Sequence, residues 1–225
     1  LVSPVEFESR PALPIDPYTL GVWLAEGTAG TLSLNILDAP AITERIGIQW
    51  KAVPGKTGSA VAPLVGHVAR LRDLGLLECR SWEKFIPVDY LFASVADRLA
   101  ILQGLMDGDG STSTHHHNEF STTSPQLRDG VVHLVQSLGG VCRIGKERRT
   151  VYTHNGERRL GRVSYRVGVK LPPQMVPFSI PRKLESFDAV VKYPPSRMIE
   201  AIEEVDSENA RCFMVDSPLN LYVMS

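Results

Sequence analysis

The pattern of apolar and polar positions predicts helices and strands in alternation along the chain. Apolar residues return every three or four positions in the predicted helices and alternate with polar residues in the predicted strands. The predicted helices cover 18–25, 39–47, 63–77, 94–110 and 124–139, with Ser94 and Ser124 as N-caps. The predicted strands cover 31–38, 48–55, 118–124 and a long two-stranded hairpin over 141–172 that turns at Asn155 and Gly156. The order helix, strands, helix, strands therefore occurs twice, and 83–93 and 177–191 are interpreted as linking and closing segments.

The same short phrase ends one predicted helix in each half of the chain. LGVWLAEGT occupies 20–28 and QGLMDGDGS occupies 103–111, and both run from apolar residues through an acid and a glycine to a hydroxyl. Glu26 in the first phrase corresponds to Asp109 in the second, 83 residues later, which is the length of one α/β unit. The repetition predicts an internal duplication.

Small residues four positions apart predict that these two helices pack closely together. Gly21 and Ala25 lie on one face of the first helix, and Gly104 and Gly108 lie on one face of the second. Faces of this kind let two helix backbones approach each other, as they do in membrane helix pairs. We expect the helices to meet along these four positions.

The two acids then fall at the C-terminal ends of the paired helices. Glu26 and Asp109 would meet beside the negative ends of two helix dipoles, an arrangement that needs a cation. Carboxylate ligands favour Mg²⁺ or another divalent cation. We further expect Gly27 and Gly110 to end the helices in the left-handed conformation.

The distribution of charge predicts a nucleic-acid partner, although the formal net charge of the chain is only −1. Residues 141–170 hold nine basic and two acidic side chains, a surplus typical of phosphate binding. The candidate DNA-binding residues are Arg143, Lys146, Arg148, Arg149, Arg158, Arg159, Arg162 and Arg166. Acids that hold a metal beside such a basic surface indicate phosphodiester hydrolysis.

The bulk composition is that of an ordinary globular protein, with 43% hydrophobic and 22% charged residues. No apolar run reaches the roughly 18 residues of a membrane span, and the first residues do not have the pattern of a signal peptide. Cys79, Cys142 and Cys212 are odd in number and lack a CxxC spacing, which predicts a reducing, cytoplasmic location without a structural zinc. The first residue is not Met, so we expect a fragment of a longer chain.

The doubled phrase resembles the two copies of the LAGLIDADG motif of homing endonucleases. The segments LPIDPYTLGVWLAEGT, FIPVDYLFASVADRLAILQGLMDGDGS and EFSTTSPQLRDGVVHLVQSLGG resemble the endonuclease of an intein in particular. The tail over 199–225 resembles the next-to-last splicing block of an intein. The resemblance covers almost the whole chain.

This resemblance implies an α+β fold with two pseudo-symmetric αββαββα halves, whose antiparallel sheets form a saddle over DNA, and a short C-terminal β segment. The halves would cover 18–97 and 98–195, after a lead-in over 1–17 and before a splicing remnant over 196–225. It implies a monomer that cleaves both strands of double-stranded DNA with a divalent metal.

The resemblance also implies roles for individual residues. Glu26 and Asp109 would be the metal-binding acids, with the backbone carbonyls of Ala25 and Gly108 as further ligands. A basic residue late in the last strand of a half assists catalysis in this family, and Lys170 matches that place. Gln49 or Lys51 would have the related role in the first half.

Two other functions remain open from the sequence. The chain could be a decayed DNA- or RNA-binding protein of the same fold, since its first half is not notably basic. It could also be the scaffold part of a protein-splicing element, although the terminal splicing blocks are absent and we expect no splicing. The run His115 to His117 is interpreted as part of a hairpin turn rather than a zinc site, because no Cys or second His cluster pairs with it.

Overall fold

The computed structural model describes residues 3–7, 12–112, 118–154 and 156–187, together with single positions and short stretches between 196 and 209. The His115 to His117 run lies outside the described residues. The same holds for Asn155, for Cys212 and for most of the predicted splicing remnant with its β segment.

Helices and strands alternate twice within the described residues. The helices are α1 (Pro17–Glu26), α2 (Ala39–Ile46), α3 (Val68–Asp73), α4 (Val88–Leu91), α5 (Val95–Asp109), α6 (Pro125–Ser137) and α7 (Pro181–Ser186). The strands are β1 (Gly27–Thr28), β2 (Thr31–Asn35), β3 (Lys51–Ala52), β4 (Ser59–Pro63), β5 (Gly110–Ser111), β6 (Asn118–Thr122), β7 (Val141–Ile144), β8 (Arg148–His154) and β9 (Glu157–Lys170).

The strands form two antiparallel sheets with the same internal order. The first sheet runs β1-β2-β4-β3 and the second runs β5-β6-β9-β7, with β8 paired to the outer part of β9. Each sheet thus begins with the strand that follows α1 or α5, which carry the repeated phrase and are called the motif helices. The last strand of each sheet lies between two earlier ones, β4 between β2 and β3 and β9 between β6 and β7. The predicted α+β class, with antiparallel sheets in two similar halves, is confirmed.

Side-chain caps explain where the long helices begin. Ser94 Oγ accepts a hydrogen bond from the Asp97 N–H at 3.1 Å, and Ser124 Oγ accepts one from the Leu127 N–H at 3.1 Å. Both N-caps were predicted from the sequence and are confirmed. Asp16 caps α1 in the same way, through the Thr19 N–H at 2.8 Å.

Three predicted elements differ from the structure. The helix predicted over 63–77 is replaced by the end of β4, a 3-10 turn at Val65–His67 and the short α3. The strand predicted over 48–55 is reduced to the two residues of β3. The predicted two-stranded hairpin has three strands, because β9 pairs with β8 along its first half and with β7 near its end.

The core lies between the motif helices and the inner faces of the two sheets. Leu32 and Leu34 of β2 are buried against the helices, as are Phe120 of β6 and Val167 of β9. The alternate positions of these strands face away from the helices and form the open surface of each sheet. None of the helices in the described part of the chain combines the length and the apolarity needed to cross a membrane.

Candidate active site

Helices α1 and α5 cross at a pair of glycines. A Cβ added to Gly21 would collide with the carbonyl oxygen of Ile101, and one added to Gly104 would lie 2.7 Å from the Val22 nitrogen. Gly108 lies against Ala25, and a Cβ there would come 3.1 Å from Cγ of Glu26. All four positions predicted to form the helix interface therefore lie in the crossing, and the crossing brings the two helix ends together.

The glycines after the two acids do not adopt the left-handed conformation that we expected. Gly27 has φ −84° and ψ 143°, and Gly110 has φ −81° and ψ 150°. Both are extended because the chain passes directly from each helix into β1 or β5. Glycine is needed there for space: a Cβ on Gly27 would collide with the Trp23 ring, and one on Gly110 would lie 2.7 Å from Cα of Met106.

Glu26 and Asp109 lie where the two helices end, and each carboxyl is hard to ionise. Burial, followed by the negative charge of Asp109, raises the pKa of Glu26 to about 7. Protein atoms crowd Asp109 closely enough that desolvation raises its pKa to about 6, although its side chain also reaches solvent. The two carboxylates thus repel each other in a partly desolvated place, and a cation bound there would favour their charged forms.

A buried lysine closes the end of α1. The Lys84 ammonium donates hydrogen bonds to the carbonyl oxygens of Trp23 at 3.2 Å, Leu24 at 3.0 Å and Gly27 at 2.8 Å. Burial lowers the pKa of Lys84 to about 8, while the charges of Asp109 and Glu26 act in the opposite direction. Lys84 therefore places a positive charge at the negative end of the helix dipole.

A second buried lysine closes α5 in the matching way. The Lys183 ammonium donates to the carbonyl oxygens of Met106 at 2.7 Å, Asp107 at 2.6 Å, Gly108 at 3.2 Å and Gly110 at 2.7 Å. Burial also lowers the pKa of Lys183. Met106, Asp107 and Gly110 occupy the positions in the second motif that Trp23, Leu24 and Gly27 occupy in the first. Both lysines are therefore part of the repeated arrangement.

Sequence reasoning missed both lysines, although a weak signal was present. Lys84 lies three residues before Pro87, and Lys183 lies two residues after Pro181. Each of these prolines follows an isoleucine, so a Lys beside an Ile-Pro pair occurs once in each half. The order of Lys and Pro is reversed between the halves, which hides the repeat from a simple alignment.

Asp107 makes the two halves different. It occupies the position that Leu24 has in the first motif, and it is almost completely buried. Its carboxylate accepts hydrogen bonds from the Tyr18 hydroxyl at 2.9 Å, from the Ser179 N–H at 3.0 Å and from the Ser179 hydroxyl. Asp107 thereby ties the segment before α7, and with it Lys183, to both motif helices.

A cavity of about 340 Å³ opens beside Glu26. Its wall includes Asn35 and Asp38 from the first half and Asp107 and Lys183 from the second. Arg182 of α7 closes one side, with Nε and a terminal nitrogen donating to the Asp38 carboxylate at 2.7 and 2.6 Å.

The donor atoms at the helix ends suit a hard divalent cation. The described residues contain no group of three or more His, Cys, Asp or Glu side chains that could hold a metal. Glu26, Asp109 and backbone carbonyls offer only oxygen, which is the ligand set of Mg²⁺, Ca²⁺ and Mn²⁺. The Ala25 carbonyl accepts no hydrogen bond from Lys84. The Gly108 carbonyl, in contrast, accepts one from Lys183 at 3.2 Å. The remaining ligands would be water and substrate oxygens.

The other three candidate catalytic residues are exposed on or beside the sheets, Lys51 and Gln49 at the edge strand β3 and Lys170 at the end of the inner strand β9. Lys51 is exposed on β3, three strands away from β1, and Gln49 is exposed just before it. Lys170 is exposed at the end of β9 and pairs with Val141. At about 4.8 Å between neighbouring strands, Lys51 is roughly 14 Å from β1 across the sheet. Lys84 and Lys183 bond to the carbonyls at the helix ends, and the catalytic roles of Gln49, Lys51 and Lys170 stay predictions.

Most of the candidate DNA-binding side chains are exposed. Seven of them are exposed along β7, β8, β9 and the turn after β7: Arg143, Lys146, Arg148, Arg149, Arg158, Arg159 and Arg162. Two of the seven also make contacts, Arg159 with the Glu157 carboxylate at 3.1 Å and Arg162 with the Trp82 ring. Arg166 is half-buried and pairs with Glu119 at 3.3 Å. We call β8 with residues 157–164 of β9 the ribbon. The ribbon has an exposed cationic surface beyond the second sheet.

Comparison with known proteins finds a family match in the second half. Residues 96–168 match a family model described as a LAGLIDADG-like domain. Over 215 residues the chain is 29% identical to a curated protein from Mycobacterium intracellulare named replicative DNA helicase DnaB. That match covers 94% of this chain and 34% of the helicase, so the chain spans about a third of that relative's length.

Solved structures of the homing endonuclease I-DmoI also align with part of the chain. The alignment with a structure of its mesophilic variants covers 69% of this chain and 88% of the I-DmoI chain, with 11% sequence identity and a TM-score of 0.42. A complex of I-DmoI with DNA and Mn gives the same coverages and identity with a TM-score of 0.40. The match to the LAGLIDADG-like domain model concerns residues 96–168, which hold Asp109, α6 and the ribbon, and this is the family that the doubled motif resembles.

Proposed function

We propose that this chain is a site-specific homing endonuclease of an intein, which hydrolyses both strands of double-stranded DNA with Mg²⁺ or another divalent cation. It would act as a monomer, since one chain supplies both acids, and in a reducing, cytoplasmic compartment. The observation that carries the proposal is the pair of carboxylates, Glu26 and Asp109, at the adjoining ends of two packed helices. Each of these ends is closed by its own buried lysine.

The site residues have separable roles in this proposal. Glu26 and Asp109 would hold the cation, together with the Ala25 carbonyl. When bound, the cation would stabilise negative charge on the phosphoryl oxygens and lower the pKa of a water molecule. Lys84 and Lys183 fix the backbone that carries the acids, and their ammonium groups add positive charge where a phosphate would come.

The open faces of the two sheets and the ribbon would bind the DNA. Exposed arginines in two strands with a right-handed twist can follow a groove and neutralise phosphates. The described part of the first sheet contributes fewer cations, with Lys51 on β3 and Lys56 in the turn after it. The second half would therefore supply most of the electrostatic affinity.

The relative's name supports the intein context. The match covers 94% of this chain but only about a third of the replicative helicase. These coverages are expected if the chain is encoded by an insert within a helicase gene. We propose that the substrate is the helicase gene without the segment that encodes this chain. In that gene the coding sequences on either side of the segment are joined directly.

A cleavage assay tests the proposal. The substrate is a duplex with that uninterrupted helicase sequence, mixed with random-sequence duplexes and Mg²⁺. We expect one discrete double-strand cut. Glu26→Gln or Asp109→Asn should slow it about 100-fold or more, because each removes a charged ligand. Glu44→Gln, at an exposed position of α2, is the matched control. A cut that persists at full rate when Glu26→Gln and Asp109→Asn are combined in one protein would refute the assignment of these acids.

A decayed nucleic-acid-binding protein is the second candidate, favoured by the few cations of the first sheet. It would retain duplex at low salt with an affinity that is unchanged by Glu26→Gln, and it would not cut in Mg²⁺ or Mn²⁺. Binding without cleavage therefore separates the two functions.

A further inference from the structure

The loop between α3 and α4, residues 74–87, is a contact between the two halves. It begins in the first half, and its last part lies against the corner between β6 and α6. The Thr123 hydroxyl donates to the Ser81 hydroxyl at 3.3 Å, and the Ser124 hydroxyl donates to the Lys84 carbonyl at 2.6 Å. The same Ser124 hydroxyl caps α6. The backbone of Lys84 is therefore held by the second half, whereas its ammonium closes the helix of the first half.

Trp82 connects this loop to the ribbon. The Arg162 guanidinium lies over the Trp82 ring, with Cζ 3.4 Å from the ring centroid, which is close cation–π stacking. Trp82 is half-buried, and it lines a groove of about 890 Å³ whose other wall includes Tyr152, Leu160 and Val163 of the ribbon. Arg162 thus differs from the freely exposed arginines nearby, because its side chain is engaged with the protein.

Trp82 and Lys84 are separated by one residue in a tight turn. The Glu83 N–H donates to the Arg80 carbonyl at 2.9 Å, and the Arg80 N–H donates to the Glu83 carboxylate at 2.8 Å. A displacement of the Trp82 backbone would therefore move the Lys84 backbone with it. No comparable side chain is needed at Lys183, whose segment is tied to Asp107 through Ser179.

We propose that Trp82 is a positioning residue that transmits the position of the ribbon, through Arg162, to Lys84 at the end of α1. The contact makes the first-half site depend on the ribbon of the second half. The relevance to DNA cleavage rests on the function proposed above, whereas the coupling between Trp82 and Lys84 is a property of the protein alone.

Chemical labelling of lysine tests the coupling without DNA or metal. The protein is treated with formaldehyde and cyanoborohydride, and the methylation rates of Lys84 and Lys183 are measured by mass spectrometry. Lys183 is the internal control, because it is equally buried and bonds to the same kind of carbonyls. We expect Trp82→Ala to raise the Lys84 rate about fivefold or more relative to Lys183, because the loop loses its stacking contact with Arg162 of the ribbon.

Three further variants distinguish positioning from general loosening. Arg162→Gln removes the ribbon side of the contact and should raise the Lys84 rate as well. Arg158→Gln, an exposed arginine of the same ribbon, should leave both labelling rates unchanged, and Trp82→Phe should restore most of the protection. An unchanged Lys84 rate in Trp82→Ala would overturn the inference, and so would an equal rise in the rate of the internal control, Lys183.

Cleavage supplies the second readout. With the duplex that the unsubstituted protein cuts, Trp82→Ala should lower the rate constant for cutting bound DNA about three- to tenfold. Its Kd for the duplex should change less than about twofold. A changed Kd with an unchanged rate would assign Trp82 to DNA binding and overturn the positioning role. Failure of the unsubstituted protein to cut would refute the proposed function, and the labelling ratio would still decide the coupling.

Discussion

Two carboxylates at two helix ends form an electrostatically unfavourable arrangement, and the protein offsets it with side chains. Glu26 and Asp109 add negative charge beside carbonyls that already carry the negative end of the dipole. Lys84 and Lys183 bond to those carbonyls and bring one positive charge to each helix end. The pKa values of both acids are nevertheless raised, so the compensation is incomplete and a divalent cation would add to it.

The raised pKa values predict a specific dependence of stability on pH. Between about pH 4.5 and 7, the folded protein holds a proton on Glu26 that the unfolded chain has released. Stability from this proton is present below pH 4.5 and is lost as pH rises through 7, by at most about 3 kcal/mol. Lys84 stays protonated in both states in this window, because its pKa is lowered only to about 8.

Thermal unfolding without divalent cations, from pH 5 to 7.5, measures this effect. The melting temperature should fall as pH rises, and Glu26→Gln should make the fall shallower, because its amide does not titrate whereas Asp109, with its pKa raised to about 6, still does. Mg²⁺ should raise the melting temperature more at pH 7.5 than at pH 5. An equal Mg²⁺ effect at both values would contradict binding at these carboxylates.

The lysine at the end of α5 should contribute strongly to stability. Lys183→Met keeps the length of the side chain but removes the ammonium that donates to the carbonyls of Asp107, Gly108 and Gly110, whereas the Met106 carbonyl still accepts the Gly110 N–H. Because buried acceptors without partners are costly, we expect a loss of about 2–4 kcal/mol in urea unfolding. Lys51→Met, at an exposed strand position, should stay within about 0.5 kcal/mol. Equal stability of the two variants would show that Lys183 does not hold the helix end.

At the scale of elements, the sequence was sufficient to predict features that depend on a few neighbouring residues. Ser94 and Ser124 cap helices because their hydroxyls need only the N–H three residues later. The helix predicted over 63–77 does not begin at Pro63 because this residue belongs to β4. It pairs there with Thr31 of β2, a strand that is distant in the sequence. The roles of Lys84 and Lys183 were not predictable for the same reason, since each bonds to backbone between 57 and 77 residues away.

The crossing of α1 and α5 should be intolerant of a single methyl group. Gly104→Ala would place a Cβ 2.7 Å from the Val22 nitrogen and closer still to the Tyr18 carbonyl, so the helix backbones must separate. We expect a loss of about 3 kcal/mol or more, or failure to fold. Gly66→Ala is the matched control, because a Cβ there meets nothing within 4 Å and its φ is not positive. Equal melting temperatures for both variants would mean that the crossing relaxes freely.

At the scale of the whole molecule, the two halves share a topology but differ in charge. Both halves contain the repeated motif, the same strand order and a lysine that bonds to the end of the motif helix. The ribbon has no equivalent in the described part of the first half, where the turn between β3 and β4 is short. The chain therefore combines a symmetric pair of helix ends with an asymmetric distribution of exposed cations, and under the proposed function DNA affinity should depend mainly on the second half.

Salt dependence of duplex binding measures this asymmetry. Each arginine that neutralises a phosphate contributes about 0.9 to the slope of log K against log salt. Arg158→Gln with Arg159→Gln should weaken binding and reduce that slope by about 1 to 2, because both side chains are exposed on the ribbon. Lys51→Gln with Lys56→Gln removes the same number of charges from the first half and should change the slope by less than about 0.5. A larger effect from the lysine pair would place the main phosphate contacts on the first sheet, and the ribbon would then serve a purpose other than anchoring DNA.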